Sequence, residues 1–181
     1  TVSDNASSTV IQWMSDTRIR FFPLVHDEQW GLRLHQADLA VNKILAAASR
    51  RKARDFADLI AIATQMCSLG PLIMAASGKP PNYSPQKIVD QIRWHAQSIS
   101  DAEYASVKGI PSDWTAEFMR AETTRLADLA EAYILSAPME VIGVLAVDAS
   151  ETPVEVTNET IAAAILRKAT EEPDVMPALE R

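Results

Sequence analysis

One segment of the chain, residues 36–59, gathers charged groups between two apolar helical runs; it reads QADLAVNKILAAASRRKARDFADL. Lys43 falls one position from the apolar stripe of the first run, and Asp55 and Asp58 lie three apart on the second, so the two carboxylates project from one helix face. A cation and two carboxylates can therefore converge. A basic cluster between the runs has donors suited to a phosphate or to these carboxylates. It consists of Arg50, Arg51, Lys52 and Arg54.

A purely structural explanation of the same residues stays open beside the chemical one. Arg54 and Asp58 are four positions apart, which is the spacing of an ordinary salt bridge along a helix. Residues 50–54 would then be a solvated turn that contributes little to stability. Spacing by itself does not choose between the two interpretations.

Two short helices, joined by this basic elbow, must position the charged groups. The apolar residues on each side recur near the 3.6-residue period of one buried helix stripe. In the first helix these are Leu39, Val41, Ile44, Leu45 and Ala48, and in the second Phe56, Leu59, Ile60, Ala63 and Met66. Asp38 can cap or begin the first helix.

The run DLAVNKILAAASRRKARDFADL resembles a segment of AbiEii-type nucleotidyltransferase-like proteins of bacterial toxin and antitoxin systems. That segment contains an acidic residue, a helix with one Lys, a basic turn and then R-D-x-x-D. The resemblance implies that Lys43 binds the nucleotide phosphates and that Asp55 and Asp58 line the active site. It also implies that Arg51 and Arg54 help to bind the substrate, a nucleoside triphosphate.

Residues 1–35 also resemble that family, in which the corresponding segment forms the final strands of the nucleotidyltransferase sheet. The family carries a catalytic carboxylate near the position of Gln12, whose neutral amide cannot supply the charge that magnesium needs. Either Asp16 substitutes for it or the metal site is degenerate. The family also has a Gly-Ser turn followed by paired acids, and no G-S-x-x-D-x-D occurs in this sequence. Since such acids hold the metal ions in nucleotidyl transfer, magnesium is expected in the intact relative and no cofactor in this chain.

These observations favour the carboxy-terminal portion of a nucleotidyltransferase-like protein, inactive as this fragment. The opening TVSDNASST, without Met, points to a truncated product of a longer protein, with a processed terminus of a complete small protein as the alternative. The competing function is a non-catalytic helical interaction or dimerisation module, antitoxin-like or uncharacterised.

Composition limits the class of protein. Hydrophobic residues make up 48% of the chain while aromatic residues make up 6%, as expected for a helical domain with a real core. The net charge of −7 argues against general nucleic-acid binding, which depends on Lys and Arg neutralising phosphates. The lone cysteine, Cys67, favours a reducing compartment and a packing role. With neither a membrane-spanning run nor a signal peptide, we expect a cytoplasmic protein that does not associate with membranes.

The predicted fold class is α+β, mostly α, with a short N-terminal β-hairpin before a helical domain. The hairpin is expected from Val10 to Trp13 and from Ile19 to Phe22, within residues 1–35, and its exposed edge predicts a homodimer. The helical domain is expected to span 36–172, with a small hairpin near 141–157 and a flexible tail at 173–181.

Local signals predict the remaining elements. Helices are expected after Pro71, from Ser84 with Pro85, and over 112–136, the last with a core face of Phe118, Leu126, Leu129 and Tyr133. Residues 148–152 are expected to form a turn, and Asn158 to cap a last helix through Ala169. The run GKPPNYSPQ lacks the spacing of a phosphate loop and is predicted to be a turn. His26, His35 and His95 are scattered and are not expected to bind a metal ion. Trp30, Trp94 and Trp114 are expected to be core anchors in preference to base-stacking platforms, given the acidic net charge.

Overall fold

The computed structural model describes the backbone at residues 2–4, 7–9, 18–29 and 31–171, and side chains from residue 18 onward within those ranges. Its elements confirm the predicted α+β class, in which helix predominates over strand. The helices are α1 (Gln36–Ser49), α2 (Ala53–Gln65), α3 (Leu69–Ala76), α4 (Pro85–Ser98), α5 (Asp101–Ala105) and α6 (Ala116–Ser136). The strands are β1 (Val2–Asp4), β2 (Ser7–Thr9), β3 (Val25–Asp27), β4 (Gly31–Arg33), β5 (Val144–Val147) and β6 (Ile165–Lys168).

α1 and α2 form as the apolar spacing predicts, on either side of the elbow at residues 50–52. The buried face of α1 is rich in alanine, a strong helix former that also lets neighbouring helices approach closely. This face packs against α2, α3 and α4. It consists of Ala37, Ala40, Val41, Ile44, Ala47 and Ala48.

α3 lies at the centre of the core, since every residue from Leu69 to Ala76 is buried. It packs against α1, α6 and β5. Gly70 permits the approach of α6, because a Cβ there would lie 2.4 Å from Cδ1 of Tyr133. A continuous hydrophobic helix of this kind is typical of a core position.

α4 begins as predicted, with Ser84 accepting a hydrogen bond from the Lys87 amide and Pro85 in the first turn. α6 begins later than predicted: Thr115 is its N-cap and accepts from the Phe118 amide, so residues 112–115 lie outside the helix. The expected core face of α6 was partly wrong. Leu126 and Tyr133 are buried, but Phe118 and Leu129 are exposed. Their places are taken by Met119, Thr123, Ala127 and Ala130.

The described strands pair in antiparallel ladders, β1 with β2, β3 with β4, and β5 with β6. The turn at residues 148–152 forms as predicted, with the Asp148 carboxylate accepting from the Ser150 and Thr152 amides. The last helix was a wrong prediction. Residues 165–168 instead form strand β6, which pairs with β5 in a register that runs from Val144↔Lys168 to Val147↔Ile165. In the hairpin expected near residues 141–157, the segment after the turn contributes an isolated bridge, Val147↔Pro153, and not a strand.

Near the start of the described chain, Arg20 is joined to Thr170 by two backbone hydrogen bonds in an isolated antiparallel bridge. Phe21 and Phe22 lie in a bend and not in the strand that was predicted. Both rings are buried in the helical core. The other predicted strand, from Val10 to Trp13, lies outside the described residues, as do Gln12, Asp16 and Trp30. In the part of the chain that the structure describes, no helix is long and apolar enough to cross a membrane.

Candidate functional site

Lys43, Asp55 and Asp58 converge, as their spacing along the two helices allows. The Lys43 ammonium lies 2.7 Å from Oδ2 of Asp58 and 3.7 Å from Oδ1 of Asp55. Lys43 reaches across from α1, and both carboxylates come from the first two turns of α2. Asp58 therefore pairs with Lys43 across the two helices, and not with Arg54 along α2 as the structural interpretation of the spacing allowed.

Asp55 is held more firmly than Asp58. Its side chain is only 3% exposed, and Arg50 donates to it in a bidentate pair, with Nε 2.7 Å from Oδ2 and Nη2 3.1 Å from Oδ1. The hydrogen bonding of Arg50 to the Asp55 carboxylate raises the pKa of Arg50 above its ordinary value. Arg50 follows directly after α1, so this pair fixes the elbow between the two helices. The sequence left the basic cluster with two possible partners, a phosphate or these carboxylates, and Arg50 takes the second, although helix spacing does not describe a pair that spans a bend.

Lys43, Asp58 and Arg54 line one open cleft between α1 and α2, with a volume of about 540 Å³. Lys43 remains 38% exposed in spite of its ion pairs. Arg54 donates from Nη1 to the backbone carbonyl of Lys108 at 3.4 Å. The remaining wall is mixed, with Gln36, Leu39, Ala40, Ala61, Ile62, Gln65 and Met66.

Arg51 lies elsewhere. Its side chain is exposed and is not among the described residues that line the cleft. Hydrogen bonds from Ser100 are the main cause that lowers the pKa of the Glu103 carboxyl, and the charge of Arg51 makes a smaller contribution in the same direction. The structure thus brings Lys43, Arg54, Asp55 and Asp58 together and leaves Arg51 on the neighbouring surface.

The charges of the site are nearly balanced. Lys43 and Arg50 offset Asp55 and Asp58, and Arg54 adds one further positive charge at the cleft. An anion that enters the cleft therefore meets two cationic side chains that differ in kind. Lys43 offers a compact ammonium with three donors, whereas Arg54 offers a planar fork.

Asp38 is a second buried charge. It was expected to cap or begin α1, but it is the third residue of that helix, whose N-cap is His35. It is fully buried, and its two oxygens accept from the backbone amides of Phe21 and Phe22, each at 3.0 Å. Lys79, also buried, lies 3.9 Å from Asp38 and donates to Oδ1 of Asn42 at 2.7 Å. The predicted turn at GKPPNYSPQ thus sends its lysine inward to α1. Asp38 and Asn42 are four apart on one helix face, and that spacing is the signal that sequence reasoning could have used.

The contacts of His35, His95 and Cys67 are those of residues with a structural role. Nδ1 of His35 caps α1 by accepting from the Ala37 amide at 3.2 Å, and its ring stacks on Phe22 at 3.9 Å. His95 is buried, with Nδ1 2.8 Å from the Ala47 carbonyl. Burial raises the pKa of Cys67 to about 12, with a smaller contribution from Glu155. A thiol with that pKa stays protonated at neutral pH and is a poor nucleophile.

The comparisons with known proteins give no relative to set beside this geometry. No family model, curated protein or solved structure matches this chain.

Both carboxylates of the site already have a cationic partner. Asp55 is engaged by Arg50, and Asp58 by Lys43. Within the described ranges, no three His, Cys, Asp or Glu side chains form a group that could hold a metal. The residues present do not fit a magnesium centre of their own, and no step of the function proposed below runs through one.

Proposed function

We propose that this chain is the carboxy-terminal portion of a nucleotidyltransferase-like protein of the AbiEii type, and that its α1–α2 cleft binds the phosphates of a nucleoside triphosphate. One observation carries the proposal. Lys43 from one helix and Arg54 and Asp58 from the next line the same cleft, although they are separated along the chain by the elbow. The resemblance assigns these positions to substrate, and their convergence on one cleft supports that assignment.

In this proposal each side chain of the site has a distinct part. The ammonium of Lys43 has three donors, and Asp58 orients it toward the cleft while leaving donors for a phosphate oxygen. Arg54 supplies the second charge, since it borders the cleft and contacts only a neutral carbonyl among the contacts described. Asp55, clamped by Arg50, holds α2 at the distance from α1 that the site requires.

The test is thermal denaturation of the full chain with and without ATP and magnesium chloride. A ligand that binds only the folded state raises stability by mass action, by about 2.7 kcal/mol at a hundred times its dissociation constant. We expect ATP to raise the melting temperature of the wild type and of Lys168→Ala, which removes an exposed lysine from β6. Lys43→Ala and Arg54→Ala should lose the rise. A rise that survives in Lys43→Ala would refute the role of that residue.

A second function, a non-catalytic helical interaction or dimerisation module, is favoured by the ion pairs themselves. Because Lys43 is already paired with both Asp58 and Asp55, the cluster is also complete as a purely structural link between α1 and α2. This alternative predicts no nucleotide-dependent shift in any variant. It also predicts that Lys43→Ala lowers the melting temperature equally with and without ATP.

A further inference from the structure

One stripe of α2 faces two adjoining spaces. Arg54, Asp58, Ala61 and Gln65 recur at helical spacing and form a single line along the helix. On one side this line borders the α1–α2 cleft, and on the other it borders a smaller pocket beneath the segment 107–114. The same four residues line both spaces. A ligand bound at Arg54 and Asp58 is thus in reach of the second pocket.

The second pocket has the size and lining for one aromatic ring. Its volume is about 160 Å³, and an engineered apolar protein cavity of about 150 Å³ holds a benzene molecule. Its walls beyond the shared stripe are largely apolar, and Trp114 is half-buried among them. Those walls include Ala57, Val107, Ile110, Pro111 and Trp114.

Arg54 joins the two spaces. Its guanidinium donates to the carbonyl of Lys108, a residue of the segment that forms the roof of the pocket, while the same side chain borders the α1–α2 cleft. A cleft lined by Lys43 and Arg54, with one carboxylate, beside an apolar, tryptophan-lined pocket suits a ligand with phosphates at one end and a planar ring at the other. Nucleotides have that structure, and bases stack on aromatic side chains through their π-faces.

We propose that the pocket beside Trp114 receives the base of a nucleotide whose phosphates lie against Lys43 and Arg54. This inference rests on the proposed function. It assigns base binding to Ile110 and Trp114, which lie outside the segment that carries the family resemblance.

The test compares binding of inorganic tripolyphosphate with binding of ATP and UTP by calorimetry on the full chain. We expect the nucleotides to bind about tenfold or more tightly than tripolyphosphate, from the typical strength of base stacking. Ile110→Trp fills the pocket and should reduce nucleotide affinity to that of tripolyphosphate, while leaving tripolyphosphate affinity unchanged. Ile165→Trp, which adds the same side chain to an exposed position of β6, should keep the advantage of the nucleotides.

The outcomes separate this inference from the proposed function. Equal affinity for tripolyphosphate and nucleotides in the wild type would overturn the base pocket and leave phosphate binding standing. Binding of neither would overturn both. Should Ile110→Trp fail to fold, tryptophan fluorescence provides the test. ATP should quench the tryptophan fluorescence of the wild type more than that of Trp114→Phe, and equal quenching in the two proteins would overturn the base pocket.

Discussion

At the scale of single residues, the two carboxylates of the site differ in surroundings although they sit three positions apart. Asp55 is buried against Arg50, whereas Asp58 borders the open cleft and pairs with Lys43. Spacing predicted their common face, but it did not predict which of them would be buried. That difference comes from Arg50, whose position depends on the bend of the elbow.

The difference predicts that Asp55 matters more for stability than an exposed ion-pair residue. Asp55→Asn should lower the free energy of unfolding by about 2 kcal/mol, because it leaves a charged hydrogen-bond donor of Arg50 without its carboxylate. The control is Asp128→Asn, whose exposed carboxylate pairs with Arg93 and should cost less than about 1 kcal/mol. Urea denaturation measures both, and equal losses would contradict the clamp.

The raised pKa of Cys67 predicts that the stability of the fold decreases at alkaline pH. Its pKa is raised to about 12 in the folded chain, so the stability linked to its protonated thiol is complete below the unfolded pKa and is lost as pH rises toward 12. Melting temperatures measured from pH 7 to 11 should therefore fall above about pH 9. Cys67→Ala should fall less steeply than the wild type. Parallel curves for the two proteins would show that Cys67 titrates normally.

At the scale of elements, local sequence signals predicted most of the helices, whereas the strand β6 depends on contacts between residues far apart in sequence. α1, α2 and α4 form where capping residues, proline and apolar spacing predict helices, because these signals act within a few positions. α2 ends at Gln65 and α3 already begins at Leu69, so the expectation that a new helix starts after Pro71 was wrong. Residues 158–169 looked helical for the same local reasons, with Asn158 as a candidate cap and four alanines. Pairing with β5 outweighs that propensity, and the hydroxyl of Thr157 closes a turn by accepting from the Glu159 and Thr160 amides.

The start of α6 supplies a matched pair of cap variants. Thr115→Ala should cost about 1 kcal/mol, because the hydroxyl satisfies the Phe118 amide in the first turn. Ser112→Ala should cost almost nothing, since Ser112 lies before the helix. Urea denaturation of the two variants distinguishes the observed boundary from the one that the sequence suggested. The reverse order of costs would move the helix start back to Ser112.

At the scale of the whole molecule, contacts far apart in sequence link the N-terminal segment to the helical core. Asp38 binds the amides of Phe21 and Phe22, Arg167 donates to the Phe21 carbonyl at 2.8 Å, and its guanidinium lies over the Phe22 ring at 4.0 Å. None of these contacts follows from periodicity, because each joins residues at least 16 positions apart. The site could be predicted only in so far as α1 and α2 are neighbours in sequence.

The N-terminal strands give the prediction for assembly. β1 and β2 pair only with each other among the described strands, and a two-stranded ribbon with open edges is marginal until another strand covers it. We expect a homodimer through this edge, with a doubled mass in light scattering at high protein concentration. Deleting residues 1–9 should give a monomer. A monomeric wild type at high concentration would end this prediction.

The central claim, that the α1–α2 cleft binds nucleotide phosphates through Lys43, is tested most directly by equilibrium dialysis of labelled ATP with the full chain. The wild type should bind ATP saturably at one site, Lys168→Ala should match it, and Lys43→Ala should bind at least about tenfold more weakly, as expected for loss of a charge-assisted contact. The absence of saturable binding in the wild type, or equal binding by Lys43→Ala, would contradict the account.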